Sequence, residues 1–535
     1  MNCTNIDKDH FVIPQWLPFK KAIAQRDLWS TSAALRAPVD LNNTENAFSE
    51  ALTAFEKSPG PFLASDLLGT ALRLGKLTIA KELAAYVLRS PMVGVTATGI
   101  AREVMGYATL LASPPIQLRQ EIRKSKEWSR HFPCDAIGWI EQARLYTIIG
   151  QKRNAERAIA LALKLAPYDR FVVRTAVRFF IHRGDWEQAN QIAAIAAKVT
   201  NDPWLVSVWI STGTQLQKLP TKFKRLFSSA LAANNELFHF SEMLEACATQ
   251  ELLAGSEKKA KQAFQQAWRK PPKTVVAHSQ WIIREKIPNL GAITYVDFSQ
   301  SAEAMAWVSL AQLQLTNSIQ SLREWALEEP YSTRPFMLGS FIDTLREDYA
   351  EAESFAREGL RANPGHEGLT NNLAFSLLRQ NQISQAASIL QSLKCDFNKV
   401  TNPTMLATWG LLLMKQKMHA QGRIFYSKAI EEANRLNDPR LALRAVLNLF
   451  IAEVDTGGTI ESKLLLSAAE TLTKVTDASV VATAEHLNKR FLLNQLLITN
   501  PEEKNAYSAF DKAVKHSSNV LRSMKFQNKS LLQTR

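Results

Sequence analysis

The chain has 535 residues, 46% of them hydrophobic, and a formal net charge of +14. This length and apolar content exclude a small disulfide-stapled scaffold and allow several domains or one long repeat array with a large core. The four cysteines lie more than 100 residues apart and no apolar run reaches about 18 residues, so we expect a protein of the reducing cytoplasm without a membrane span.

The first 60 residues show no regular helical pattern. Prolines and aromatic residues alternate in this segment, which predicts short irregular helices that cap a larger fold. Asp7 and Asp9 precede no apolar run, so the segment does not resemble a signal peptide. Residues 61–94 then form a loose first copy of a pattern that is clearer further along the chain.

Residues 136–169 contain a pattern that returns 34 residues later, over 170–203. The matching pairs are Tyr146 and Phe180, Gly150 and Gly184, Ala155 and Ala189, and Ala162 and Ala196. Apolar residues and Ala recur at helical intervals on both sides of Gly150, and glycine tolerates the left-handed backbone that ends a helix. Pro167 stops the second helix because proline lacks the N–H that a helix interior needs. Each unit is therefore predicted to be a helical hairpin that stacks on its neighbours.

The same 34-residue frame fits four further stretches, 241–274, 333–366, 367–400 and 403–436. Residues 276–298 interrupt these copies with the stretch IPNLGAITYVDFS, which could be a seam between two arrays. The predicted organisation is an amino-terminal cap over 1–60, a first array over 61–298, a second array over 299–436 and a carboxy-terminal helical cap over 437–535.

The repeated pattern resembles the tetratricopeptide repeat, whose signature of Trp, Leu-Gly, Tyr, Ala, Phe and Pro has the same length. The signature is approximated by Trp139, Ala143, Tyr146, Ala155, Ile159 and Pro167, and again by Trp409, Gly410, Leu413, Tyr426 and Ala429. A departure is Gln142, which stands where the signature has Leu. The resemblance implies an all-α fold, a right-handed superhelical solenoid in which the first helix of each hairpin lines a concave groove.

Basic charge is concentrated in one part of the chain, since residues 136–235 hold 14 Lys and Arg against 6 Asp and Glu. A step of four residues is close to one helical turn, so it selects the groove-facing positions of each first helix. The candidate partner-binding residues are Arg144, Arg170, Arg174, Arg178 and His182 in the first array, and Asn371 and Arg379 in the second. Guanidinium groups pair bidentately with carboxylates or phosphates, and the alternative interpretation is a set of solvated arginines.

Asn371 and Asn372 resemble the Asn residues of groove clamps that hold a peptide backbone or a terminal carboxylate. The set of basic residues expected around such a clamp is incomplete in this sequence. The second array therefore has a mixed groove, in contrast to the basic groove of the first array.

Catalytic patterns are absent from the sequence, which has no GxSxG, GxGxxG or HExxH, and its nine His residues lack metal-ligand spacing. The sequence predicts a non-catalytic scaffold or adaptor, with no metal or cofactor, that binds a protein or peptide partner within a multi-protein complex. That partner could be acidic. The alternative is binding to nucleic acid, or regulation of a nucleic-acid-acting complex, through the basic surface of residues 136–235.

Overall fold

A computed structural model describes most of the chain beyond the first 40 residues. The described residues are 41–74, 76–90, 93, 95–105, 115–218, 223–225, 228, 237–285, 296–393, 401–493 and 501–523. Most of the predicted amino-terminal cap and residues 286–295 of the predicted seam lie outside them. The chain divides into two compact units, of which unit 1 comprises Met1–Ser301 and Leu327–Tyr331, and unit 2 comprises Ala302–Ala326 and Ser332–Arg535.

The described part of unit 1 consists of helices joined by short turns, with a 3₁₀ turn at Phe298–Gln300. Its helices are α1 (Leu41–Lys57), α2 (Pro61–Arg73), α3 (Leu77–Arg89), α4 (Val95–Val104), α5 (Pro115–His131), α6 (Ala136–Ile148), α7 (Lys152–Leu165), α8 (Arg170–His182), α9 (Trp186–Thr200), α10 (Pro203–Gln215), α11 (Leu237–Leu253), α12 (Glu257–Ala267) and α13 (Lys273–Glu285). Three of the predicted repeat units each coincide with two consecutive helices that pack together, α6 with α7, α8 with α9, and α11 with α12.

Unit 2 continues the same construction. Its helices are α14 (Ala302–Ala311), α15 (Leu315–Glu328, whose last two residues belong to unit 1), α16 (Arg334–Leu345), α17 (Tyr349–Ala362), α18 (Glu367–Arg379), α19 (Ile383–Ser392), α20 (Pro403–Lys415), α21 (His419–Arg435), α22 (Pro439–Thr456), α23 (Ser462–Leu472), α24 (Ala478–Leu493) and α25 (Pro501–Ser523). The residues that the structure describes contain no β-strand, so the all-α prediction is confirmed.

The turns inside the hairpins have the left-handed backbone that the sequence predicts. Gly150, Gly184 and Gly255 have φ between +72° and +81°, and Asn381 has φ +63°. Glycine adopts these angles without a steric penalty, whereas most other residues do not. Each of these residues therefore ends one helix and starts the return of the next.

Small side chains allow the two helices of a hairpin to approach each other. Ala143 and Ala155 are fully buried where α6 packs on α7, and Ala189 is fully buried in the next hairpin. Asp169 caps the start of α8 by accepting hydrogen bonds from the backbone N–H groups of Phe171 and Val172. Alanine at the crossing and a carboxylate at the amino terminus thus fix the hairpin locally.

The segment 437–535, predicted as a carboxy-terminal cap, contributes helices α22 to α25 to unit 2. Phe450, Leu472 and Phe510 from this segment share one hydrophobic core with Trp325 and Phe336. Because α22 packs on α20 and α21 as the earlier first helices pack on their neighbours, the stacking of helices continues into this segment. The first helices of unit 2 thus include α22 and α24 as well as α16, α18 and α20.

Candidate functional site

The first-array arginines predicted to line a groove lie inside unit 1. Arg144 on α6 has 0% exposure, and its Nε and Nη2 donate hydrogen bonds to Glu141 Oε1 at 3.0 and 2.7 Å. The helix places the two charges one turn apart, since they are separated by three residues. The carboxylate that Arg144 holds therefore comes from its own helix.

Arg174 on α8 makes the most extensive of these ion pairs. Its Nη1 and Nη2 donate to the two carboxylate oxygens of Glu242 on α11 at 2.6 and 3.0 Å, and both residues are buried. The Glu242 carboxylate also accepts hydrogen bonds from the hydroxyls of Ser207 and Thr274. The Arg174 guanidinium lies over the Trp204 ring at 5.1 Å from its centroid. This is a bidentate pair with its remaining lone pairs satisfied, the arrangement that a buried carboxylate requires.

The other three predicted residues of the first array have partners within unit 1 as well. Arg170 pairs with Asp202 at 2.6 Å, and Arg178 pairs with Glu329 at 3.2 Å. His182 meets the Tyr331 ring edge-on at 5.3 Å between centroids. Burial lowers the pKa of His182 to about 3, and the positive charges of Arg178, Lys152 and Arg183 act in the same direction. His182 is therefore neutral at physiological pH.

These contacts correct the expectation that Arg144, Arg174 and Arg178 face an open groove, because these guanidinium groups are 0%, 7% and 6% exposed. The physical reason is that a charge on a helix enclosed by its neighbours must be paired inside the protein. A partner's carboxylate or phosphate could reach these arginines only by displacing the protein's own carboxylates. The candidate site of this chain must therefore be sought elsewhere.

Unit 2 contains a cavity of about 120 Å³ along its first helices. We call it the unit 2 cavity and define it by its lining side chains from α16, α18, α20, α22 and α24. The apolar lining includes Phe341, Leu345, Phe375, Ala407, Leu441 and Ile451. The polar lining includes Asn371, Asn372, Arg379, Arg444, Asn448 and His486. A concave, mainly apolar surface with a few convergent polar groups is typical of a binding site.

The sequence-predicted residues of the second array, Asn371 and Arg379, both line this cavity. Phe375 and Ala407 were selected with them by the step of four along each first helix, and they line the cavity as well. The residues that sequence reasoning missed are on α22 and α24, in the segment interpreted as a cap. No signature residue marks those helices, so their contribution could be found only from packing.

A charged network closes one end of the unit 2 cavity around Arg379. Its Nη1 donates to Asp455 Oδ2 at 2.5 Å, and its Nε and Nη2 donate to the Tyr349 hydroxyl at 3.2 and 3.1 Å. Burial acts to lower the pKa of Arg379, but Tyr349 and Asp455 outweigh it and hold this pKa above its ordinary value. Arg379 is thus a permanent cation whose charge Asp455 largely offsets.

His486 extends this network from α24. Its Nε2 lies 3.3 Å from Arg379 Nη2, and its Nδ1 lies 3.4 Å from Glu347 Oε1. Burial lowers the pKa of His486 to about 4, and Arg379 adds to that effect. Because a guanidinium can only donate, the neutral imidazole accepts at Nε2 and carries its proton on Nδ1, toward Glu347. The lining at this end is therefore rigid and internally satisfied.

Arg444 on α22 differs from the other arginines on first helices. Its Nη1 lies 3.4 Å from Ser479 Oγ, and its guanidinium lies over the Phe341 ring at 5.1 Å from the centroid. In the described residues no carboxylate oxygen lies within 4 Å of this group. Burial lowers the pKa of Arg444, against opposing effects from Asp477 and Asp438, yet an arginine in this range stays charged. The cavity wall thus holds a cation without a counter-charge.

Asn371 supplies a second unsatisfied group in the same wall. The side chain is 7% exposed, and its buried Oδ1 accepts no hydrogen bond from the described residues. A buried polar atom without a partner costs about 1–3 kcal/mol. Asn372, by contrast, donates to Ser340 Oγ at 2.8 Å and is held by α16. The cavity therefore presents an acceptor at Asn371 and a cation at Arg444.

Comparisons with known proteins agree with the fold. No family model and no curated protein matches this chain. Solved structures that are similar to it include the APC/C hetero-tetramer Cut9-Hcn1, with 12% identity over 93% of this chain and 98% of that one and a TM-score of 0.42. Yeast Tom70 has 13% identity over 89% of this chain and 99% of that one, with a TM-score of 0.29. An IFIT1 monomeric mutant with Gppp-AAAA has 12% identity over 89% and 95%, with a TM-score of 0.30.

The stacked hairpins of 34-residue period decide the fold class of both units. This is a tetratricopeptide-type helical repeat protein. Within the described portions of its repeat helices, no group of three His, Cys, Asp or Glu side chains is arranged to hold a metal ion. None of the described helices is both long and apolar enough to cross a membrane.

Proposed function

We propose that the protein is a non-catalytic scaffold that binds a segment of a partner protein in the unit 2 cavity, and that this segment places a carboxylate against Arg444. The observation that carries the proposal is the Arg444 guanidinium, which has no carboxylate partner among the described residues and stands in a mainly apolar wall. Each other first-helix arginine discussed above already holds an internal carboxylate. Arg444 is thus free to bind a carboxylate from outside.

The rest of the lining suits a peptide. Phe341 and Phe375 offer apolar surface for a side chain, and the Asn371 amide oxygen can accept a hydrogen bond from a peptide N–H. Binding that supplies this donor would satisfy a buried acceptor that is unsatisfied in the protein alone. An acidic peptide with an apolar neighbour residue would therefore match the cation, the acceptor and the apolar wall together.

The test is a selection of displayed random peptides on the purified full chain. We expect the wild type to enrich sequences with Asp, Glu or a free terminal carboxylate next to an apolar residue. Arg444→Met should lose this enrichment, whereas Arg440→Met should retain it. Arg440 is a matched control because it lies one turn earlier on the same helix, is 54% exposed and lies outside the cavity lining.

A second variant tests the cavity itself. Ala407→Phe fills part of the apolar lining without changing charge, so it should weaken every selected peptide. Circular dichroism should first show that each variant is folded. The proposal fails if the wild type enriches no peptide, or if Arg444→Met and Ala407→Phe bind the enriched peptides as tightly as the wild type does.

A further inference from the structure

Seven basic side chains of unit 1 recur in register on the second helices of consecutive hairpins. Arg119, Arg123 and Arg130 lie on α5, Arg153, Arg157 and Lys164 lie on α7, and Lys198 lies on α9. Adding 34 to each of the three positions on α5 gives the three positions on α7, and adding 34 to Lys164 gives Lys198. We call this set the basic ladder.

All seven ladder side chains are exposed. No carboxylate oxygen in the described part of the protein lies within 4 Å of any of them. Lys198 lies over the Trp209 ring at 5.4 Å, which leaves its charge available. Glu156, an acidic residue on α7, is already paired with Arg183 at 2.7 Å. The ladder therefore carries the free positive charge that the first-helix arginines lack.

The repeat geometry arranges these charges in rows. Arg119 and Arg123, like Arg153 and Arg157, are four residues apart, which is about 6 Å along a helix. Both α5 and α7 pack against α6, and residues one repeat apart occupy the same face of successive second helices. Neighbouring packed helices lie about 10 Å apart. The result is a regular two-dimensional spacing of guanidinium and ammonium groups.

We infer that the basic ladder binds the phosphate backbone of a nucleic acid. Guanidinium groups match phosphate oxygens in bidentate geometry, and regularly spaced cations suit a polymer of regularly spaced anions. Recognition of this kind depends on charge and not on base sequence. The ladder lies in unit 1 and uses other residues than the unit 2 cavity, so this inference is independent of the proposed peptide site.

The composition of the ladder favours nucleic acid over the other large anionic partners. A protein interface depends on buried aromatic or aliphatic anchors, and α5 exposes no such residue between its ladder positions. A membrane-binding helix needs an apolar face that enters the lipid, and α5 buries its apolar residues Leu118 and Ile122. Phosphate contacts need only the exposed cations.

The experiment measures fluorescence anisotropy of labelled oligothymidylate and of a labelled duplex over a range of salt concentrations. The ladder variant replaces Arg123, Arg130, Arg157 and Lys164 by Gln. The control variant makes the same charge change at Lys258, Lys259, Arg269 and Lys270, which are exposed residues of unit 1 outside the ladder. Circular dichroism should show wild-type helicity for both variants, because all eight side chains are exposed.

We expect the wild type to bind with an affinity that falls steeply with salt, and the ladder variant to bind more weakly. For single strands, each lost phosphate contact lowers the slope of log affinity against log salt by about 0.7, so four contacts lower it by about 3. The control variant should keep the wild-type slope. Arg444→Met should leave binding of the oligonucleotides unchanged, which separates this inference from the peptide site.

Three results would overturn the inference. The first is no binding of either oligonucleotide by the wild type at low salt. The second is an equal loss in the control variant, which would assign binding to net charge. The third is binding of polyglutamate, or of vesicles of phosphatidylcholine with phosphatidylserine, with the same ladder dependence and an affinity equal to that for nucleic acid.

Discussion

Replacing Arg174 by Met removes the guanidinium that holds Glu242 in the interior of unit 1. Two hydrogen bonds from the guanidinium, at 2.6 and 3.0 Å, are lost, and Glu242 keeps only its hydroxyl donors, Ser207 and Thr274. Leaving one member of a buried ion pair without its partner costs about 3–5 kcal/mol. An exposed arginine makes no such contribution, and its removal changes stability by no more than about 0.5 kcal/mol.

The measurement is urea unfolding of Arg174→Met, followed by circular dichroism, beside the control Arg153→Met on the exposed face of α7. Repeat arrays can unfold in parts, so hydrogen exchange should also be measured in α8, α10 and α11. The double variant Arg174→Met with Glu242→Met should recover much of the lost stability, because no charge is then left buried.

The outcome of this comparison tests the placement of the first-helix arginines. If Arg174→Met is as stable as Arg153→Met, the guanidinium is not part of an internal pair and the open-groove interpretation returns. The same reasoning predicts that joint replacement of Arg144, Arg174 and Arg178 by Ala unfolds part of unit 1. A loss of partner binding in that variant would therefore not locate a binding site.

Three further predictions concern local packing and titration. Burial raises the pKa of Glu245 well above 4.5, so the folded state keeps its proton to a higher pH than the unfolded state, and stability should fall as the pH rises from about 4.5. Glu245→Gln should remove this fall and raise the urea midpoint at neutral pH. Ala155→Leu overfills the crossing of α6 and α7 and should cost about 1–3 kcal/mol, and an unchanged melting temperature would contradict the assigned register. The pKa of His486 is lowered from 6.5 to about 4, so stability gained above the unfolded pKa should be lost as the pH falls through this interval, and His486→Gln should weaken that dependence in thermal melts.

The hairpins were predictable because their causes are local. Spacing of apolar residues sets each helix, and Gly150, Gly184 and Asn381 mark the turns. The hairpin of α14 and α15 was missed because Leu313 occupies its turn, with φ +58°, and Glu347 occupies the next turn, with φ +63°. Leu313, Glu347 and Asn381 are 34 residues apart, so the frame continues through this region. Packing imposes the turn there, and the side chain gives no signal of it.

The direction of the first-helix side chains was also predictable, but their partners were not. A step of four residues selects Asn371, Phe375 and Arg379, which share one wall of the unit 2 cavity. The carboxylates that neutralise Arg174 and Arg178 are 68 and 151 residues away in sequence. Pairing over such separations follows from how the helices stack, and a periodicity of one repeat carries no record of it.

The position of a charge within the hairpin therefore decides what that charge can mean. On α6, residues 140 to 148 are all buried, so a cation on this helix has no water to solvate it and needs an anion within the protein. On the second helices, α5 and α7, the same side chain reaches solvent and can wait for a partner of opposite charge. Arg444 is the exception that points to a ligand, because it stands on a first helix and among the described residues has no carboxylate to hold. If a peptide carboxylate is what completes it, Arg444→Met should abolish peptide binding while costing less stability than Arg174→Met, since no buried anion is left behind.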